Sequence, residues 1–194
     1  MKLSILIPTH KRPGLFNRCI LSALKNIPDG VEIIVNNDSH DIYEVQHPQV
    51  KYFYNEFEHL TGVYESLLNS ASGEFIYYLE DDDYITDSFY EVLNYLDGYD
   101  VVSGLYYPSW NDNWIAKCAK SEVLQLGQFI MRRDKVMQWE FPKDSCIHND
   151  RKLVKFLLDN GANNLILPKV FYIQTTDGGD NISFPESTNY YGTN

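Results

Sequence analysis

The chain has 194 residues, 44% of them hydrophobic and 14% aromatic, with a formal net charge of -11. That length suits one domain with a sizeable core, and the charge excludes indiscriminate adhesion to nucleic acid or anionic lipid. No run approaches the roughly 20 apolar residues of a membrane span.

The opening Met1-Lys-Leu-Ser-Ile-Leu-Ile-Pro-Thr9 has no signal-peptide core and no small-residue cleavage site, so it reads as a first strand. Cys19, Cys118 and Cys146 are widely spaced and never form a C-x-x-C pair. They point to neither a disulfide framework nor a zinc site, and the expected location is the cytoplasm. Basic residues outnumber acidic ones between Trp114 and Val170, while the rest of the chain is strongly acidic.

Leu3-Ser-Ile-Leu-Ile7 is a short apolar strand closed by Pro8 and a polar turn, Thr9 to Gly14. Leu15, Phe16, Cys19, Ile20, Ala23 and Leu24 recur at helical spacing until Ile27-Pro-Asp-Gly30 stops them. Val31 to Val35 is a second strand, ending in Asn36-Asn-Asp-Ser39, and Val50 to Tyr54 is a third. A helix over Val63 to Ala71 follows, leaving through Ser72-Gly73. Phe75 to Leu79 is the fourth strand, and it runs directly into Glu80-Asp-Asp-Asp83.

Beyond this the spacing predicts a helix over Ser88 to Leu96, capped by Asp87 or Ser88. Strands are predicted at Val101-Val102, Leu105 to Tyr107 and Gln128 to Arg132, then a short helix over Asp134 to Trp139. His148 to Gly161 is a helix closed by glycine, and Leu165 to Ile173 a late strand. The tail from Thr175 is rich in Gly, Asp, Asn and Ser without a period. No repeat or linker interrupts the chain. It reads as one domain over 1–194, with a nucleotide-type half over about 1–105 and an acceptor half over about 106–194.

Alternating strands and helices predict an α/β domain with a mostly parallel central sheet. In such sheets ligands bind at the carboxyl ends of strands. The clusters Thr9 to Arg12, Asn36 to Ser39 and Glu80 to Asp83 each stand at such an end, so one rim would gather them. Acidic runs are ordinarily solvated loops; convergence on a rim turns this one into a candidate site.

Leu3-Ser-Ile-Leu-Ile-Pro-Thr-His-Lys-Arg12 resembles the opening strand of family 2 glycosyltransferases, which have the GT-A fold. Glu32-Ile-Ile-Val-Asn-Asn-Asp-Ser39 resembles their second strand, and Ala71 to Asp83 the segment carrying their D-x-D metal motif. Gly127 to Arg133 and Asn149-Asp-Arg-Lys-Leu153 resemble later acceptor-side blocks. These blocks occur in the family's order.

The resemblance implies an inverting transfer from a nucleotide sugar, with UDP favoured, to a hydroxyl acceptor. It implies Mn²⁺ or Mg²⁺, since a hard cation takes carboxylate and diphosphate oxygens and stabilises the leaving group. Asp82 and Glu80 stand as the metal residues. Asp81 or Glu80 would hold ribose hydroxyls or the metal's water. Asp83 is either a support or a solvated neighbour.

Asp38 matches the acid that accepts a hydrogen bond from uracil, with Asn37 where an aspartate is common. Thr9 and His10 would line the base pocket, and Arg12 would reach a phosphate. Asp150 matches the catalytic base, though by position alone Asp150 or Asn149 is equally a helix cap. The helix before the acidic strand lacks the family's usual basic residue, and the tail lacks its histidine, for which Asp177 or Asp180 would substitute. Alternatively, the tail folds over bound donor. Tyr106, Tyr107, Trp110 and Trp114 form either an acceptor platform or core.

Three other readings stand beside this one. A nucleotidyltransferase would need a Gly-rich basic phosphate loop, for which only Lys11, Arg12 and Gly14 are available. A binding module without catalysis would differ at Asp150. The acceptor is a carbohydrate or other hydroxyl, and a modified base in nucleic acid is the minority alternative.

Overall fold

The computed structural model describes residues 1–39, 41–108, 126–143 and 149–175. Strands β1 (Leu3–Thr9) and β2 (Val31–Asn37) are buried along their whole length and pair in parallel, from Leu3 beside Val31 to Thr9 beside Asn37. Unbroken apolar runs are what a strand covered on both faces requires. β3 (Val50–Phe53) joins the far side of β2, and β4 (Phe75–Tyr78) joins the other side of β1, both in parallel.

The alternation of side chains divides the core into two layers. Ile5, Ile7, Ile33, Val35, Tyr77 and Leu79 pack with Phe16, Cys19 and Ile20 of helix α1 (Pro13–Leu24). Leu6, Ile34, Ile76 and Tyr78 face the opposite way, toward Val63 and Leu67 of α2 (Leu60–Ser70). α2 begins earlier than its apolar period predicts.

The second half extends the sheet with mixed polarity. Short β5 (Tyr84–Ile85) precedes β6 (Val101–Pro108), β7 (Phe129–Arg132) and β8 (Asn164–Gln174). The described strands run in the order β3-β2-β1-β4-β7-β6-β8-β5. Parallel pairing therefore holds from β3 to β4 and again between β6 and β8. β7 runs antiparallel to both β4 and β6, and β5 antiparallel to β8. The four-residue helix α3 (Arg133–Val136) and α4 (Asn149–Asp159) cover the α2 face, with Val136, Leu153, Val154 and Leu157 in its core. β8 bulges against β6 at Gly104, where an added Cβ would lie 2.4 Å from the Phe171 ring.

One expectation changes here, and one of two open readings is decided. Phe89–Tyr95 is a 3-10 helix, where the sequence predicts an α-helix over Ser88 to Leu96, and Ser88 makes no side-chain cap. Phe89 and Val92 are both buried, and a 3-10 turn eclipses residues three apart, so this geometry puts both rings and methyls on the core. Tyr106 is core: it is buried and stacks on Tyr172 with centroids 5.7 Å apart. Its role in an acceptor platform is thereby withdrawn, while Trp110 and Trp114 lie outside the described residues. So do Cys118, Cys146, Asp177 and Asp180. Among the described residues no helix is long and apolar enough to cross a membrane.

Candidate active site

The carboxyl ends of β1, β2 and β4 meet, and their polar clusters bind one another. Thr9 Oγ1 donates to Asp81 Oδ2 at 2.7 Å, and the Asp38 backbone N–H donates to the Thr9 carbonyl at 3.1 Å. His10 Nδ1 lies 2.5 Å from Asp38 Oδ1. The chain then turns sharply, with Lys11 in the left-handed region (φ 52), a conformation that costs an L-residue roughly 1–2 kcal/mol. That turn sends Arg12 back over the acidic loop, where its guanidinium ion-pairs with Asp81 and reaches Asp82 Oδ2 at 3.2 Å. Like charges on adjacent buried residues are tolerable because this planar fork lies across both.

Each acid of the run has its own environment. Asp81, Asp82 and Asp83 are buried, at 1%, 2% and 6% exposure, while Glu80 is half-buried. Burial pushes Asp81 up to about 7, against the opposing pull of Arg12 and Thr9. Burial likewise raises Asp82 and, with the added repulsion of its acidic neighbours, carries Asp83 well above the usual carboxylate range.

Asp83 is therefore a support and no solvated neighbour: its Oδ1 accepts the Thr175 backbone N–H at 2.9 Å. Thr175 Oγ1 donates to the Asp82 carbonyl at 2.6 Å, and Arg18 donates to both that carbonyl, at 2.6 Å, and Thr175 Oγ1, at 2.9 Å. Glu80 points the other way, accepting from the Tyr64 hydroxyl of α2 at 2.9 Å. Tyr64 is braced in turn by Tyr78, whose hydroxyl donates to the Tyr64 carbonyl at 3.0 Å.

The sequence-predicted residues Thr9, His10, Arg12, Asp38, Glu80, Asp81 and Asp82 thus come together on one rim. Their internal pairings differ from expectation. Thr9 faces Asp81 as well as Tyr43, Asp38 holds His10, and Arg12 holds the acids. Asn37 is taken up locally: its Oδ1 accepts from the Ser39 N–H and hydroxyl, and its Nδ2 donates to the Asp41 carbonyl. Asn36 Oδ1, at the start of the second cluster, is buried with no partner among the described residues. Asp150 falls in the first turn of α4, with its side chain outside the described set.

Arg18, Tyr43, Tyr64 and Thr175 were not found from sequence. Tyr64 follows buried Val63 on α2 and reads locally as helix surface; nothing short of the β4 register announces that it meets Glu80.

The donor set can be tested against a divalent cation. Glu80 and Asp82 supply the hard oxygens that Mg²⁺ or Mn²⁺ takes. Among the described residues no three His, Cys, Asp or Glu side chains converge as a cage. Asp82, on the Arg12 side, and Glu80, on the Tyr64 side, would each offer a cation one carboxylate, with ligand oxygens and water completing its shell.

A mixed α/β sheet covered on both faces, with acids at the carboxyl ends of β2 and β4, is consistent with a GT-A fold. The sequence matches the profile of Glycosyl transferase family 2 over residues 4–160, and the chain belongs to that family of glycosyltransferases. Among solved structures it is similar to S. aureus TarS 1-349, with a TM-score of 0.72 at 20% identity, covering 90% of this chain and 60% of that one. It is similar to the same protein in complex with UDP (0.73, 19%, 90% and 60%) and with UDP-GlcNAc (0.72, 21%, 94% and 61%). The chain thus spans less than two thirds of the length of these structures. A comparison with curated proteins found no match.

Proposed function

We propose that this protein is a metal-dependent, inverting glycosyltransferase that moves a sugar from a UDP-sugar to a hydroxyl acceptor in the cytoplasm. The observation that carries this reading is the meeting of Asp38, Asp81 and Asp82 on one rim, joined through Thr9, His10 and Arg12, with Glu80 beside them at the end of β4. The binding of UDP and UDP-GlcNAc by similarly folded TarS supports the donor class.

Breaking a sugar–phosphate bond leaves charge on a diphosphate, and a divalent cation beside Asp82 and Glu80 would stabilise that charge. His10, oriented by Asp38, offers the base a polar contact. Asp150, at the start of α4, serves as the base that takes the acceptor's proton. A base opposite the leaving group gives inversion.

A thermal-shift series of nucleotide sugars with and without Mn²⁺ tests the donor: a UDP-sugar should raise the midpoint, more so with metal. Turnover that survives a chelator defeats the metal assignment. Asp150→Asn should keep donor affinity by calorimetry and lose transfer; retained transfer removes Asp150 from the mechanism.

A further inference from the structure

We infer that Arg12 is a built-in counter-ion that keeps the acidic loop from taking a divalent cation by itself, so that metal and nucleoside diphosphate bind only as a pair. This deepens the glycosyltransferase reading and rests on it.

Three observations lead here. The Arg12 guanidinium spans the side chains of Asp81 and Asp82, and it is itself only 14% exposed. A fork in that place supplies the positive charge two adjacent buried carboxylates need. Of the other acids, Glu80 accepts from the Tyr64 hydroxyl and Asp83 from the Thr175 N–H. Among the described residues no three-ligand cage results.

A cation approaching Asp82 therefore meets a resident guanidinium on the same carboxylate and gains too few charged oxygens to offset that repulsion. A diphosphate reverses both conditions, because it brings negative charge to offset Arg12 and charged oxygens that replace water in the shell. Such coupling is reciprocal: whatever factor the nucleotide adds to metal affinity, the metal adds to nucleotide affinity. The local backbone serves this arrangement. Arg12 stands at the cap position of α1 without a side-chain capping bond, so the left-handed turn at Lys11 leaves its side chain to the acids.

The test is Mn²⁺ titration followed by electron paramagnetic resonance, on the full chain with and without UDP. The wild type should bind Mn²⁺ weakly alone and at least tenfold more tightly with UDP. R12Q should bind Mn²⁺ alone at least tenfold more tightly than the wild type and gain less from UDP. R12K keeps the charge without the fork and should fall between the wild type and R12Q. Should R12Q lose its fold without metal, far-UV circular dichroism should show it refolding as Mn²⁺ is added, which supports the same conclusion. Unchanged donor-free affinity in R12Q, or no refolding with Mn²⁺, overturns the inference. If the wild type binds UDP with Mn²⁺ and R12Q is unaltered, only the role of Arg12 falls. If the wild type binds no nucleoside diphosphate under any condition, the glycosyltransferase reading falls with it.

Discussion

Thr9 Oγ1 and Asp81 Oδ2, 72 residues apart in the chain, share a 2.7 Å hydrogen bond that fastens the end of β1 to the acidic loop after β4. Asp81 is 1% exposed, so the bond is made away from water. Thr9→Val keeps the shape and removes the donor. Leaving a buried acceptor short of a partner costs about 1–3 kcal/mol. The urea midpoint should fall accordingly, and Thr9→Ser should recover most of it; a midpoint unmoved by Val would mean the bond contributes nothing.

Glu32 supplies a pH signature. Burial raises its carboxyl, but hydrogen bonds from Lys51, Ser4 and Ser72 outweigh that and hold it at about 2, against an ordinary 4.5. A folded-state value below the unfolded one contributes stability above about pH 4.5, and that contribution is lost as pH falls toward 2. Denaturation midpoints should decline across that window in the wild type and more gently in Glu32→Gln. Asp81 has the opposite sign: its value of about 7 against 3.8 makes the fold less stable as pH rises through that interval. Equal slopes in Glu32→Gln and the wild type would remove Glu32 from the account.

Tyr64→Phe takes away the hydroxyl that holds Glu80 and leaves the ring in its edge contact with Tyr78, 5.1 Å between centroids. One hydrogen bond to a charged group is worth roughly 1.5 kcal/mol, or about tenfold in kcat/KM. The thermal midpoint should fall by no more than a few degrees. Kinetics on a competent donor check this, and a variant as active as the wild type would reduce Tyr64 to packing.

Gly73 lies where α2 hands over to β4, and a Cβ there would sit 2.6 Å from the Ser4 backbone nitrogen and 2.7 Å from the Phe75 carbonyl oxygen. Neither atom can yield without breaking the β1–β4 pairing. Gly73→Ala should therefore destabilise by about 1–3 kcal/mol or more in chemical denaturation, the penalty of overpacking a dense interior.

Much of the fold was legible because its signals are local. Leu3 to Ile7, Val31 to Val35 and Phe75 to Leu79 announce buried strands by their unbroken apolar character, and Leu15 to Leu24 announces α1 by its period. The 3-10 helix at Phe89–Tyr95 was not legible, since residues three and seven apart satisfy either helical geometry until a core selects one. Asp83 was equally ambiguous: an acid in an acidic run gives no local sign that a backbone N–H from Thr175 awaits it.

From its amino acids alone the protein declares which strands are buried, that three polar clusters end them, and that the blocks of a glycosyltransferase family run in order. What each polar side chain holds was decided only by the folded sheet. Periodicity is a property of neighbours in the chain, whereas an ion pair depends on distance through space. The register that sets Leu6 beside Tyr78 carries Thr9 to Asp81, Arg12 to Asp82 and Glu80 toward Tyr64. Those distances distinguish a solvated acidic loop from a charge-balanced site.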